Sequence, residues 1–178
     1  RSLVGSEMCI RDSGQVDPVE VMGAAAQDFN AQVEAELLVS LKSSSPEFFE
    51  KAVIDVLWAM GYGGDYGEKQ HVGRTGDGGV DGIIRQDALG LSNIYVQAKR
   101  YTTNSVGSGD IRDFMGAMDT RGASQGVFIT ASTFAPAAKE TARNYRHGKI
   151  VLIDGLELTS LMLRYGCLLY TSPSPRDS

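Results

Sequence analysis

GDGGVDGII, residues 76–84, followed by YVQAKRY, residues 95–101, is the stretch on which the fold turns. RTGDGGVDG reads as a turn, because glycine adopts backbone conformations closed to other residues. VDGIIRQ then reads as a short strand. NIYVQAKRY is β-branched and aromatic enough to be the central strand, and DALGLSN between them reads as a hairpin connection. Side chains alternate along a strand, so Gln97 and Lys99 share one face while Val96 and Ala98 share the other. An amide and an ammonium side by side on an apolar strand call for a partner, since lysine is rarely buried unpaired. Asp81, between Val80 and Ile83 on the preceding strand, can be that partner. Glu50, from a helix further upstream, can approach the same place.

Moving outward, DYGEKQHVG before the turn reads as a short strand or extended segment. SSSPEFFEKAVIDVLWAMGYGG reads as a helix with Ser45 as N-cap, Pro46 in its first position and Gly61 as its stop. Phe49, Val53, Val56, Leu57 and Met60 form its apolar stripe, and Glu50 lies beside that stripe. DPVEVMGAAAQDFNAQVEAELLVSLKS, capped by Asp17, reads as an earlier helix. Downstream the pattern predicts a helix from Gly109 or Asp110 to Thr120, a strand in SQGVFITAS and a helix in FAPAAKETARNYR with Pro136 in its first turn. KIVLIDG is then a strand, and LELTSLMLRYG a closing helix capped by Asp154. The fold class expected is α/β, with a mixed central sheet flanked by helices.

Two carboxylates, one side-chain carbonyl and one ammonium suit phosphodiester hydrolysis. Mg²⁺ prefers oxygen ligands and commonly takes one or two carboxylates together with water and phosphate oxygen. Asp81 is the expected main ligand, Gln97 a weaker neutral one, and Glu50 a ligand directly or through water. Lys99 is expected to orient the attacking water and to stabilise the negative charge growing on phosphate.

In this order and at these spacings, GDGGVDGII, YVQAKRY, GVFITAS and IVLIDG resemble the catalytic domain of the Mrr-type restriction endonucleases, within the PD-(D/E)XK nuclease superfamily. The likeness runs from about Ser45 to Gly166. By resemblance, Asp81 matches the family's first acidic position, and Gln97 matches the second, commonly glutamine there. Lys99 matches the lysine, and Glu50 of FFEKAV the acidic residue of the first core helix. The resemblance implies Mg²⁺-dependent cleavage of double-stranded DNA, often DNA carrying methylated bases. It also implies a separate N-terminal DNA-reading domain that is missing upstream of Gln15. Cutting both strands needs two active sites, so a homodimer is an expectation, as is a cytoplasmic location. Two other readings stay open: a catalytically inactive nuclease fold serving as a DNA-binding module, and a repair nuclease of the same superfamily.

Plainer readings stand beside each of these. Asp81 and Lys99 can form a structural ion pair between strands, and Glu50 can be an exposed helix residue. Arg100, Lys139, Arg143 and Arg146 can make a basic flank for DNA, or simply a solvated face. Ser132 can contact a DNA phosphate, although by default Ser132 and Thr133 cap the next helix. Asp77 supports the glycine-rich turn. That turn lacks the GxxxxGK[ST] and GxGxxG patterns of nucleotide loops. His71 and His147 are solitary, with no second ligand at a metal spacing.

The two ends read differently. A permitted back-translation of Leu3–Asp12, reverse-complemented, encodes Cys167–Arg176, and two natural termini have no physical reason to be antisense copies. The string looks like a transposase adapter used in shotgun sequencing. Residues 1–13 and 167–178 are therefore set aside as adapter-derived, leaving a helical lead-in at 14–44 and a nuclease domain at 45–166. Both cysteines fall in the excluded ends, so a disulfide framework and a cysteine zinc site are ruled out for the rest. The excluded ends carry Arg1, Arg11 and Arg176 against Glu7, Asp12 and Asp177, so the formal charge of the remainder is still −5. An acidic domain is not an obvious nucleic-acid binder, which asks for locally concentrated positive charge or for help from another domain.

Overall fold

The computed structural model describes residues 17–63, 69–71 and 79–167. Asp77, the side chain of His71, residues 1–16 and residues 168–178 lie outside the described residues. The chain divides into two compact units, Arg1–Val33 and Glu34–Ser178. In the first, residues 18–33 are helical, and Val19, Met22 and Phe29 are exposed.

Helix α1 spans Pro18–Ser43 and begins as the sequence predicts, with Asp17 Oδ1 accepting the Val19 N–H at 3.0 Å. Helix α2 spans Pro46–Ala59, with Ser45 Oγ accepting the Phe48 N–H at 3.2 Å. Phe49, Val53, Ile54, Val56 and Leu57 are its buried residues. Met60, expected in the stripe, instead caps the C-terminus and is half-buried. Strands β1 (Lys69–His71), β2 (Gly82–Arg85) and β3 (Asn93–Lys99) follow, then α3 (Ser108–Thr120), β4 (Gln125–Thr130), α4 (Pro136–Arg143), β5 (Lys149–Ile153) and α5 (Gly155–Arg164).

The five strands lie in sequence order. β1, β2 and β3 are antiparallel, and β3, β4 and β5 are parallel, so the sheet is mixed with β3 at its centre. The β2–β3 hairpin is held by Asp87, whose Oδ1 accepts the Leu89 and Leu91 N–H groups at 2.9 and 3.0 Å. These backbone bonds, that from Leu91 foremost, hold the half-buried Asp87 carboxyl below its ordinary range.

The two faces of the sheet carry different helices. On one, Phe128 of β4 and Ile150 of β5 are buried against Ile111, Phe114 and Met118 of α3 and Ala138 and Ala142 of α4. Phe128 meets Phe114 and Phe134 edge-on, with ring centroids 5.6 and 5.8 Å apart. Burying each such ring contributes about 1.5–3 kcal/mol, and the edge-on arrangement suits the aromatic quadrupoles. α3 lies so close to β4 that a Cβ on Gly126 would stand 2.5 Å from Met118 Sδ and 2.9 Å from Phe114 Cε1. α2 packs on β3, whose Ile94, Val96 and Ala98 are buried, and α5 packs on β4 through an element with buried Leu158 and Met162.

Two boundaries differ from expectation. α3 starts at Ser108, because Asp110 Oδ2 reaches back to accept the Gly107 N–H at 3.2 Å. α4 is not capped by Ser132 or Thr133. Its N-cap is Ala135, followed by Pro136, whose missing N–H leaves one fewer donor to satisfy there.

Candidate active site

The site is built where β2 begins. Gly79 has φ +88° and Val80 is buried in the α3–α4 core, so the chain turns sharply before Asp81. The Asp81 N–H donates to Val96 O at 2.8 Å. Its carboxylate Oδ2 accepts the Ala98 N–H at 2.7 Å. Asp81 therefore grips β3 on both sides of Gln97, and its side chain stands in for the backbone acceptor that a longer β2 would supply. A carboxylate accepting a backbone amide is stabilised in its charged form and fixed in position.

Gln97 is 5% exposed. A Cβ on Gly79 would lie 3.0 Å from Gln97 Oε1, so glycine is needed there both for its φ and for that approach. Lys99 is half-buried, two residues on, with Gln97 on the strand face shared by Tyr95 and Phe128. Its backbone is held by a residue that sequence reading missed. Thr130 is fully buried opposite Lys99, donates Oγ1–H to Lys99 O at 2.8 Å and accepts the Ser132 N–H at 3.1 Å. The only signal for it was a hydroxyl closing the apolar run GVFI.

The structure thus brings Asp81, Gln97 and Lys99 to one end of the β2–β3 pair. Glu50 is half-buried on α2, next to Phe49, on a helix that packs against β3. The donors offered are a carboxylate and an amide oxygen, which suit a hard divalent cation. Among the described residues no group of three or more His, Cys, Asp or Glu side chains could hold a metal.

Four of the five residues offered for DNA contact are dispersed. Arg100 Nη1 donates to the carbonyls of Lys42, at 2.7 Å, and Ser44, at 2.5 Å, so this guanidinium clamps the C-terminus of α1. Ser132 is 9% exposed and its carbonyl accepts the Gly155 N–H. Lys139 and Arg143 are exposed on α4 and line a groove of about 480 Å³ beside β5, with β4 between that edge and β3. His147 Nδ1 lies 3.0 Å from Asp119 Oδ1, which also accepts the Tyr145 hydroxyl at 2.6 Å.

A mixed sheet between helices, with an acidic residue clipped to the strand that carries Gln-x-Lys, defines a restriction-endonuclease-like domain. The chain belongs to the Mrr_cat family, Restriction endonuclease, which it matches over residues 41–162. It is 42% identical over 146 residues to the type IV methyl-directed restriction enzyme EcoKMrr of Escherichia coli strain K12. That match covers 82% of this chain and 47% of EcoKMrr, so the chain spans about half of that relative's length. Among solved structures it resembles the MspJI restriction endonuclease in complex with a 27-mer oligonucleotide, at TM-score 0.59 and 26% identity, covering 74% of this chain and 31% of MspJI. It shares its fold with the DNA modification-dependent restriction endonuclease AspBHI, at TM-score 0.58 and 19% identity, covering 77% of this chain and 36% of that one.

Proposed function

We propose that this chain is the cutting domain of a Mg²⁺-dependent endodeoxyribonuclease, a restriction enzyme that acts on methylated double-stranded DNA. The observation that carries the reading is the double clip of Asp81 onto β3, which sets a carboxylate between the positions of Gln97 and Lys99. Asp81 and the Gln97 amide oxygen would hold the cation, with Glu50 of α2 completing the set directly or through water. A cation bound there supplies Lewis-acid stabilisation of phosphate and a more acidic water. Lys99 orients the water and offsets charge that develops on the phosphate oxygens. Thr130 fixes the backbone from which Lys99 projects. The methylated target is supported by the relatives, EcoKMrr being a methyl-directed enzyme and AspBHI a modification-dependent one.

Several further parts belong to the same proposal. A DNA-reading domain preceding the lead-in helix supplies target choice, the active form is a homodimer, and the enzyme works in the cytoplasm. Among the described residues no helix is long and apolar enough to cross a membrane. Lys139 and Arg143 remain candidate phosphate contacts.

The test incubates the chain with methylated and unmethylated plasmid, with Mg²⁺ or with chelator, beside Lys99→Ala. Metal-dependent nicking that the variant lacks supports the nuclease. Nicking that ignores methylation points to a repair-type relative or to target choice made elsewhere. If a folded chain does not cut, calorimetry of Mg²⁺ against Asp81→Ala separates an inactive module, which binds no metal at Asp81, from a competent site that needs its reader.

A further inference from the structure

We propose that the outer edge of β5, with the groove beside it, is a self-complementary surface on which a second copy of this chain docks with its β5 antiparallel to the first. β5 ends the sheet: it pairs with β4, and among the described residues no strand takes its other edge. The Lys149 N–H donates toward β4, to Ser124 O at 2.8 Å. Backbone groups alternate in direction along a strand, so the N–H and C=O of Ile150 and Leu152 turn to the open edge. Two such pairs, related by a two-fold axis at Val151, exchange hydrogen bonds between Ile150 of one copy and Leu152 of the other. Val151 is 41% exposed, large for an apolar residue in the middle of a strand.

The groove supplies the orientation. Ile150 and Leu152 give it apolar surface, Lys139 of α4 lines its wall, Arg143 and Lys149 line it where β5 begins, and Asp154 and Glu157 line it where β5 ends. A lysine on a strand edge ordinarily repels a second edge. Here the opposite end of the same edge is acidic. An antiparallel copy lays its cations against the other's carboxylates, twice, by symmetry. A parallel copy meets like charge with like. Nucleic acid, which is anionic throughout, meets Asp154 and Glu157 and is disfavoured over half the groove. The charge pattern therefore selects an isologous protein contact. The inference does not rest on the nuclease chemistry, and it gives the expected homodimer a surface.

Sedimentation velocity of the full chain across the micromolar range tests it. The parent chain is expected to form a concentration-dependent dimer. Lys149→Glu and Glu157→Lys should each weaken dimerisation by roughly tenfold, because each places like charges across the axis. An equimolar mixture of the two variants should restore the dimer, since the swapped charges then pair across the interface. Val151→Asp, which sets two carboxylates face to face, should dissociate it as well. Circular dichroism verifies that each variant is folded. A parent that stays monomeric, a dimer indifferent to all three changes, or a mixture that fails to recover overturns the proposal. So does a pair of charge variants that alters DNA affinity and leaves sedimentation untouched, which would make the groove a nucleic-acid contact.

Discussion

Lys99 and Gly79 make opposite kinds of demand on their positions. Lys99→Ala removes a charge and leaves the hydrogen bonds from Thr130 and Ala131 to its carbonyl in place. Cleavage should fall by about 10²–10³-fold, the cost of losing one group aimed at developing charge. The thermal midpoint should hardly move, and nicking assays beside calorimetry check both. Gly79→Ala keeps every charge. It forces an L side chain to φ +88°, at about 1–2 kcal/mol, and sets its Cβ 3.0 Å from Gln97 Oε1. The expected outcome is a midpoint several degrees lower, together with weaker Mg²⁺ binding as Gln97 is displaced. A variant with unchanged midpoint and unchanged metal affinity would show that this turn does not shape the site.

At the scale of elements, contact between helix and strand sets the tolerances. Gly126→Val drives two branches into Met118 and Phe114, and α3 can yield only by lifting from β4. Overpacking of this kind costs about 1–3 kcal/mol, read as a lower urea midpoint at unchanged slope. The end of α3 is tied to the α4–β5 connection through Asp119. The Tyr145 hydroxyl first, then His147, hold the Asp119 carboxyl below its ordinary range, against partial desolvation. Burial first, then Asp119, pushes the Tyr145 phenol up to about 12. The signs follow from proton binding. The lowered carboxyl contributes stability above its unfolded value of 3.8, and this is lost as pH falls through the folded value. The raised phenol contributes below 10.0, and this is lost as pH rises through about 12. Asp119→Asn should therefore flatten the acid limb of a stability profile measured by urea titration, and the alkaline limb only in part, since burial of Tyr145 remains. Limbs as steep as those of the parent would mean that other groups govern them.

For the molecule as a whole, a formal charge of −5 limits what the chain does alone with DNA. Only a few phosphates can be neutralised locally. The slope of log affinity against log salt is expected to be no steeper than about −2 to −3, at about 0.9 per neutralised phosphate. Fluorescence anisotropy on duplex DNA over a salt series measures it. A much steeper slope would require a larger basic surface than the described residues present.

Composition and periodicity by themselves determined the order of elements, the mixed sheet, β3 as its centre and most helix caps, because alternation and capping are local. Ser45, Asp17 and Asp154 cap their helices through side-chain bonds that span two or three residues of chain. Residue type and spacing suggested Asp81, Gln97, Lys99 and Glu50 as a set, and their catalytic role stands as a proposal. Only the tertiary structure decided that Asp81 clips β3 through Val96 and Ala98, that Thr130 holds Lys99, that Arg100 clamps α1 and that His147 meets Asp119. Each of those bonds joins residues distant in sequence, or replaces a local partner with one brought by the sheet. Nothing within a strand's own period specifies which partner arrives, since that follows from how the strands pair and how closely the helices can pack upon them.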